Sequence, residues 1–357
     1  MLSEFDLIAR YFTRPQPGHP QVALGIGDDC ALLRLTPGMA MAISSDMLVE
    51  GRHFFPDADP RQLGHKCLAV NLSDLAAMGA RPLGFTLAFS LPQADCAWLA
   101  GFAEGLFALA DAHDCALIGG DTTKGPRNIC ITIFGEIPVG HALRRDAAQV
   151  GDDIWISGTL GDARLALAGL RQEVALDHAS LAAAAVRLHA PTPRVALGQA
   201  LRGIAHAAID LSDGLIGDLG HILQRSKCGA LVNLDALPLG AVLARQPQAR
   251  QREFALAGGD DYELCFTAAP AQRSAVLAAA QAAGTAVTSI GSIEPAACGL
   301  RLVDANGATL DLQKIQSVRT SEQAKQATHR PSKTRGPVCP VVCLPMAWFR
   351  DQKRESL

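Results

Sequence analysis

The sequence predicts a two-domain protein whose N-terminal half is an α/β layer structure on a mixed sheet. Three observations carry this. At 357 residues the chain exceeds one domain of ordinary size. Strand-like and helix-like segments alternate, but imperfectly, which disfavours a purely parallel sheet. A turn at Gly151-Asp152 separates two such series, placing the domains at residues 1–150 and 151–312.

Taken in order, residues 3–13 read as a short helix and Pro15 to Pro20 as a loop. Val22 to Ile26 is a strand that delivers Gly27-Asp28-Asp29 at its end, and Met39 to Ser44 a second that ends at Ser45-Asp46. After a turn with Gly51, Arg52 and His53, apolar residues Leu68, Leu72, Leu75 and Ala76 recur at helical spacing, and Gly79 with Pro82 supplies the stop. Asn71 and Asp74 share a face of this helix. Burial of Asp74 among small apolar residues is costly without a pairing cation.

Gly84 to Leu91 alternates like a strand, and Pro92 opens a helix closing near His113. Cys115 to Ile118 and Ile129 to Gly135 are strands, with Gly119-Gly120-Asp121 ending the first. Beyond the boundary, Ile154 to Ser157 is a strand, residues 179–188 a helix broken by Pro191 and Pro193, and Ala207 to Ile209 a strand. That strand leads into Asp210-Leu211-Ser212-Asp213-Gly214 and a helix to Arg225, and Gly258-Gly259-Asp260-Asp261 precedes a strand over Leu264 to Thr267. Residues 313–357 form a tail with prolines at 331, 337, 340 and 345. From 317 onward it carries eight Lys/Arg against three Asp/Glu, the composition of a poorly ordered segment.

With 49% hydrophobic and 19% charged residues the chain has the balance of a globular enzyme, and a net charge of −3 gives no reason to expect nucleic acid. No apolar run has the length of a membrane span, and the N-terminus lacks a secretion signal, so a cytoplasmic protein without a membrane partner is expected. The ten cysteines include Cys67, Cys115, Cys130 and Cys265 in core-like segments, and no C-x-x-C pair occurs. Cys339 and Cys343 in the tail are too weak a pattern for a metal site.

A lone Asp beside Gly is usually a turn residue. Here five segments place Asp beside Gly, Ser or Asn, including Asp29, Asp46, Asp74, Asp121, Asp210 and Asp213 with Ser44 and Ser45. Such oxygen donors suit Mg²⁺, which is held by one or two carboxylates plus substrate phosphates. The adjacent glycines let backbone N–H groups approach phosphate, while Arg144 and Arg145 offer fixed cations. There is no P-loop, no kinase-type glycine loop and no G-x-S-x-G nucleophile.

In this order, Gly25-Ile26-Gly27-Asp28-Asp29, Ser44-Ser45-Asp46, Asn71-Leu72-Ser73-Asp74-Leu75-Ala76-Ala77-Met78-Gly79-Ala80, Gly119-Gly120-Asp121-Thr122-Thr123, Asp210-Leu211-Ser212-Asp213-Gly214 and Gly258-Gly259-Asp260-Asp261-Tyr262-Glu263 resemble the motifs of the thiamine-monophosphate kinase family, over roughly residues 3–312. The Asn71 to Ala80 element is shared with the wider superfamily of aminoimidazole-ribonucleotide synthetase and selenophosphate synthetase. The resemblance implies an N-terminal α/β domain that dimerises through its sheet, followed by an α+β domain, with ATP in a cleft near the dimer interface. It implies transfer of the γ-phosphoryl of ATP to thiamine monophosphate, aided by several Mg²⁺ ions.

By the family pattern, Asp29, Ser44, Ser45, Asp46, Asp74, Asp121, Asp210 and Asp213 bind metal, and catalysis runs through Asp29, Asp46, Asp74, Asp121 and Asp210 without a general base. Gly120, Asp121, Arg145 and Ser212 contact ATP, and His53 and Asp260 face the thiamine substrate. Two departures stand out. Asp260 stands where the family usually has Glu, and after Leu312 the basic tail follows where the family ends in a substrate-stacking aromatic; nothing in the spacing supports Trp348 or Phe349 in that role. The alternatives are another ATP-dependent synthetase of the superfamily, a nucleotide-binding scaffold without turnover, and a Mg²⁺-dependent phosphatase.

Overall fold

A computed structural model of the chain describes residues 7–13 and 19–310. The helix start expected at residues 3–6, part of the Pro15 to Pro20 loop, and the tail with Cys339, Cys343, Trp348 and Phe349 lie outside the described residues. After a π-helical turn at Ile8–Phe12, β1 (Val22–Leu24) and β2 (Leu32–Leu33) form a small antiparallel hairpin. A four-stranded sheet follows, built from β3 (Met39–Val49), β4 (Arg81–Leu91), β5 (Ala116–Lys124) and β6 (Asn128–Pro138) in the order β3-β6-β4-β5. Only β4 and β5 run parallel, so the sheet is mixed.

Two of these strands are longer than their local sequence suggests. The expected strand ending at Ser44 continues to Val49, and the one ending at Ile118 continues to Lys124. Asp46 and Gly119-Gly120-Asp121 therefore lie within strands rather than beyond them. The cause is pairing: β3 matches β6 from Met39 opposite Pro138 to Val49 opposite Asn128, and β5 matches β4 through Lys124. Ladder hydrogen bonds from a neighbour override the weak strand preference of Gly and Asp. Pro92 likewise does not open the next helix, whose start is set by the Asp95 carboxylate accepting from the N–H groups of Ala97 and Trp98.

One face of the sheet is covered by α1 (Pro60–Met78) and α2 (Cys96–Ala112). Asp59 caps α1, Pro60 occupies its first turn, and Gly79 ends it in the left-handed conformation at φ 72°. The two helices pack closely because a Cβ on Gly105 would sit 1.8 Å from the Arg61 carbonyl oxygen. The opposite face of the sheet carries the exposed side chains of Met41, Ile43 and Met47.

The second series contains β7 (Asp153–Ser157), α3 (Asp162–Leu170), α4 (His178–His189), α5 (Val195–Ala200), β8 (Ala207–Asp210), α6 (Leu215–Ser226), β9 (Cys228–Asn233), α7 (Gln248–Ala257), β10 (Leu264–Ala268), α8 (Arg273–Ala282), β11 (Val287–Pro295) and β12 (Leu300–Val303). Its strands form one sheet in the order β12-β9-β11-β7-β10-β8, antiparallel except between β12 and β9. Alternation along β7 sends Ile154 and Ile156 into a core beneath α3, α6 and α7, while Trp155 stacks on Phe266 on the other face. That other face joins the core of the first series, so α1 lies between the two sheets. Most of its residues between Leu63 and Ala77 are accordingly buried, polar Lys66, Asn71 and Ser73 among them.

Candidate active site

The central position of α1 decides where polar groups on it can go. Gln62, Lys66, Val70 and Asp74, each four residues apart, line one cavity of about 440 Å³. Asp46 and Leu48 of β3 line it too, as do His53 in the following turn, Asp210, Ser212 and Asp213 at the end of β8, and Gly259, Asp260 and Tyr262 before β10. Carboxylates from four distant parts of the chain thus meet in one cleft.

Side-chain hydrogen bonds hold them there. The period-two alternation of β3 turns Ser44 and Asp46 toward α1, where the Ser44 hydroxyl donates to Asp74 Oδ2 in a very short contact. Asn71, fully buried one turn before Asp74, donates to the Cys67 carbonyl at 2.9 Å and accepts the Asp46 N–H at 3.2 Å, which ties β3 to α1. Ser73 donates to Asp210 Oδ2 at 2.9 Å, tying α1 to β8. The loop before β10 is held against the β8 loop by Asp260 N–H to Ser212 O at 2.9 Å and Tyr262 N–H to Leu211 O at 2.8 Å. This bonding sustains positive φ at Asp260 (67°) and Tyr262 (49°), conformations that non-glycine residues rarely adopt.

Behind the loop, buried Glu263 accepts from Arg187, from Arg194 and from Ser157 at 2.6 Å each. It anchors the segment that carries Asp260.

Three of these carboxylates, Asp46, Asp74 and Asp210, are set apart from the basic side chains. Among the described residues, no Arg, Lys or His forms a salt bridge with Asp46, Asp74 or Asp210. Burial, and then the charge of Asp74, push the Asp46 carboxyl up to about 6. Burial raises Asp74 as well, against the Ser44 hydrogen bond and the positive charge of Arg145. Asp210 is pushed up to about 7 by burial, then by Asp74. The cation expected beside Asp74 is therefore not a contacting side chain, and Arg145 acts on it from a distance.

Crowded, desolvated carboxylates of this kind fit a hard divalent cation, which would relieve their repulsion. No three His, Cys, Asp or Glu residues form a ready-made cage among the described residues. That suits Mg²⁺, which completes its shell with water and phosphate oxygens.

Of the other expected residues, His53 lines the cavity and the rest lie elsewhere. Asp29 is exposed after the β1 strand, its N–H bonded to Asp28 Oδ1 at 2.9 Å. Ser45 points to the open face of the sheet, within 3.0 Å of Thr132 Oγ1. Asp121 lies in one row with Ala88, Cys130 and Met47, hence on that same open face and away from the cavity. Gly120 precedes it at φ 152°, where a Cβ would strike the Leu87 carbonyl at 1.9 Å. Exposed Arg145 lies in the connection from β6 to β7 between the two sheets. His53 accepts the Val49 N–H at Nδ1, 3.0 Å away, and burial, then Arg52, lower its pKa.

Sequence reasoning overlooked Lys66, His189 and Tyr262, all of which line the cavity. For Lys66 a signal existed: a lysine eight residues before Asp74 shares its helical face. His189 and Tyr262 come from segments whose approach is set only by packing between the two sheets.

Residues 27–137 match the family "AIR synthase related protein, N-terminal domain", and residues 149–320 match its C-terminal domain. The chain is 50% identical over 302 residues to the thiamine-monophosphate kinase of Salmonella typhimurium, covering 84% of this chain and 93% of that protein. It superposes on the crystal structure of the thiamine-monophosphate kinase from Stenotrophomonas maltophilia K279a with a TM-score of 0.75 at 48% identity, covering 82% of this chain and 93% of that one. A further similar structure, AaThiL complexed with AMPPCP and TMP, has a TM-score of 0.67 at 28% identity, over 78% of this chain and 87% of that one.

Proposed function

From the premise that the chain belongs to the thiamine-monophosphate kinase family, within the AIR synthase-related proteins, we propose that it transfers the γ-phosphoryl of ATP to thiamine monophosphate, forming thiamine diphosphate and ADP. The observation that carries the reading is the convergence of Asp46 and Asp74, half-buried, and Asp210, buried, mutually repelling at one cleft with Ser212 and Asp213. An acceptor phosphate oxygen is already anionic near neutral pH, so no protein base has to create the nucleophile. The work left to the protein is alignment and neutralisation of converging charge.

In this reading Asp46, Asp74, Asp210 and Asp213, with Ser44, hold Mg²⁺. When bound, such ions neutralise phosphate charge and orient both substrates. Arg145 and Ser212 take the nucleotide, and His53 and Asp260 the thiamine end. Residues 1–150 form the metal- and ATP-binding domain and residues 151–312 the α+β domain. The enzyme works as a homodimer joined through the open face of the first sheet, where apolar Met41, Ile43 and Met47 are exposed. A second copy on that face would bring Ser45, Gly120 and Asp121, together with Asp29 of the nearby hairpin, toward its own nucleotide. The eight described cysteines are free thiols, which suits a reducing cytoplasm. No helix among the described residues is long and apolar enough to cross a membrane.

The test is a coupled assay for ADP with product identification. Thiamine diphosphate formed from ATP, Mg²⁺ and thiamine monophosphate is the expected result. ADP release that does not depend on thiamine monophosphate, or nucleotide binding without turnover, would overturn the proposal.

A further inference from the structure

Among the described residues Lys66 is the one cavity-lining lysine, and it is deeply buried: its side chain is 6% exposed. Its ammonium meets Asp260 Oδ1 at 2.8 Å. Asp260 keeps 33% of its side chain open, and among the described residues its other oxygen, Oδ2, accepts no hydrogen bond. The backbone of Asp260 is locked at φ 67° by its bond to Ser212 O. One carboxylate oxygen is therefore clamped and the other remains available at a cavity wall shared with His53 and His189.

The position along α1 matters as much as the pairing. Lys66 precedes Asp74 by eight residues, about 12 Å of helix. A molecule whose phosphate lies at the carboxylate end must extend roughly that far to reach the pair, and an extended thiamine monophosphate has a comparable length. Burying an ammonium is costly, and a purely structural pair gains little over an apolar one. A role in orienting a ligand accounts for a lysine that is buried here and faces the cavity rather than solvent.

We infer that Lys66 is a positioning residue for the acceptor substrate, holding Asp260 in one orientation so that Oδ2 accepts a hydrogen bond from the exocyclic amine of the substrate's pyrimidine ring. The inference rests on the kinase reading above. In this arrangement Lys66 touches neither the nucleotide nor the transferred phosphoryl group. Its loss weakens acceptor binding while leaving the chemical step in place.

The test uses the full chain, with Lys66→Met, Asp260→Asn and the double variant, measuring kcat and each KM separately alongside thermal melts. Each single variant is expected to raise KM for thiamine monophosphate on the order of tenfold, with kcat and KM for ATP within about twofold of wild type. The double variant should be no worse than the poorer single one, because the pair acts as a unit. A Lys66→Met enzyme that melts like wild type and keeps its KM for thiamine monophosphate overturns the inference. Equal rises in both KM values also overturn it, since they indicate general loosening. Should Lys66→Met fail to fold, an unchanged acceptor KM in Asp260→Asn serves as the overturning result. Calorimetric titration with thiamine monophosphate reads the same loss without turnover, so that a wild type making no thiamine diphosphate would sink the kinase reading while the titration still decided the role of Lys66.

Discussion

The chemistry of the cleft turns on single carboxylates whose surroundings oppose their charge. Asp74 is bonded to Ser44 and lies near enough to Asp46 and Asp210 to raise both. Replacing it by Asn keeps a hydrogen-bond acceptor for Ser44 and removes one of three repelling charges. Asp74→Asn is therefore expected to cut turnover by on the order of a hundredfold or more, with a melting temperature in metal-free buffer equal to or above wild type. A fully active variant would remove Asp74 from the site. The same crowding sets a pH dependence. Asp46 and Asp210 titrate at about 6 and about 7 when folded, against 3.8 ordinarily, so the folded protein binds more protons than the unfolded one between those values. Their contribution is intact below about pH 4 and is lost as the pH climbs through 7. Melts without divalent cation should show lower stability at pH 8 than at pH 5, and added Mg²⁺ should flatten the difference. A melting temperature independent of pH and of Mg²⁺ would show that these groups do not repel.

At the level of elements, α1 does most of the organising. It carries Lys66, Asn71, Ser73 and Asp74, and it touches both sheets. Its placement depends on close approach to α2, where Gly105 faces the Arg61 backbone. A methyl group there has no room, so Gly105→Ala is expected to push the helices apart and cost about 1–3 kcal/mol of stability. Denaturant unfolding measures this directly, and an unchanged midpoint would mean the helices can part without penalty. The helix was legible in the sequence because its signals are local: apolar residues at helical spacing, and Gly79 with Pro82 at the end. The limits of β3 and β5 were not, because they depend on hydrogen bonds to β6 and β4, whose partners are remote in sequence. The start of α2 was misjudged for a different reason, since the Asp95 cap outcompeted Pro92 as the starting signal.

For the whole molecule the decisive feature is the open face of the first sheet. Ile43 is 61% exposed and Met47 52% exposed on the edge strand β3, beside the row that ends in Asp121. If a second copy covers this face, Ile43→Glu places a charge in the interface. The variant should then elute as a monomer in size-exclusion chromatography with light scattering, with turnover lost at concentrations where wild type is active. A wild-type monomer that is fully active would end the dimer proposal. Taken alone, the sequence determined the types of chemistry available: carboxylates and hydroxyls beside glycines, a mixed sheet, and the family resemblance carried by ordered motifs. Those properties are written in residue identity and short-range spacing. Only the tertiary structure decided that Asp46, Asp74 and Asp210 share a cleft while Ser45 and Asp121 face the other side of the sheet, and that Lys66 meets Asp260 across 194 positions of chain. Strand register fixes the side on which each side chain emerges, and packing of α1 between two sheets fixes which loops converge on it. Both are set by contacts between segments far apart in the chain, which no local pattern records.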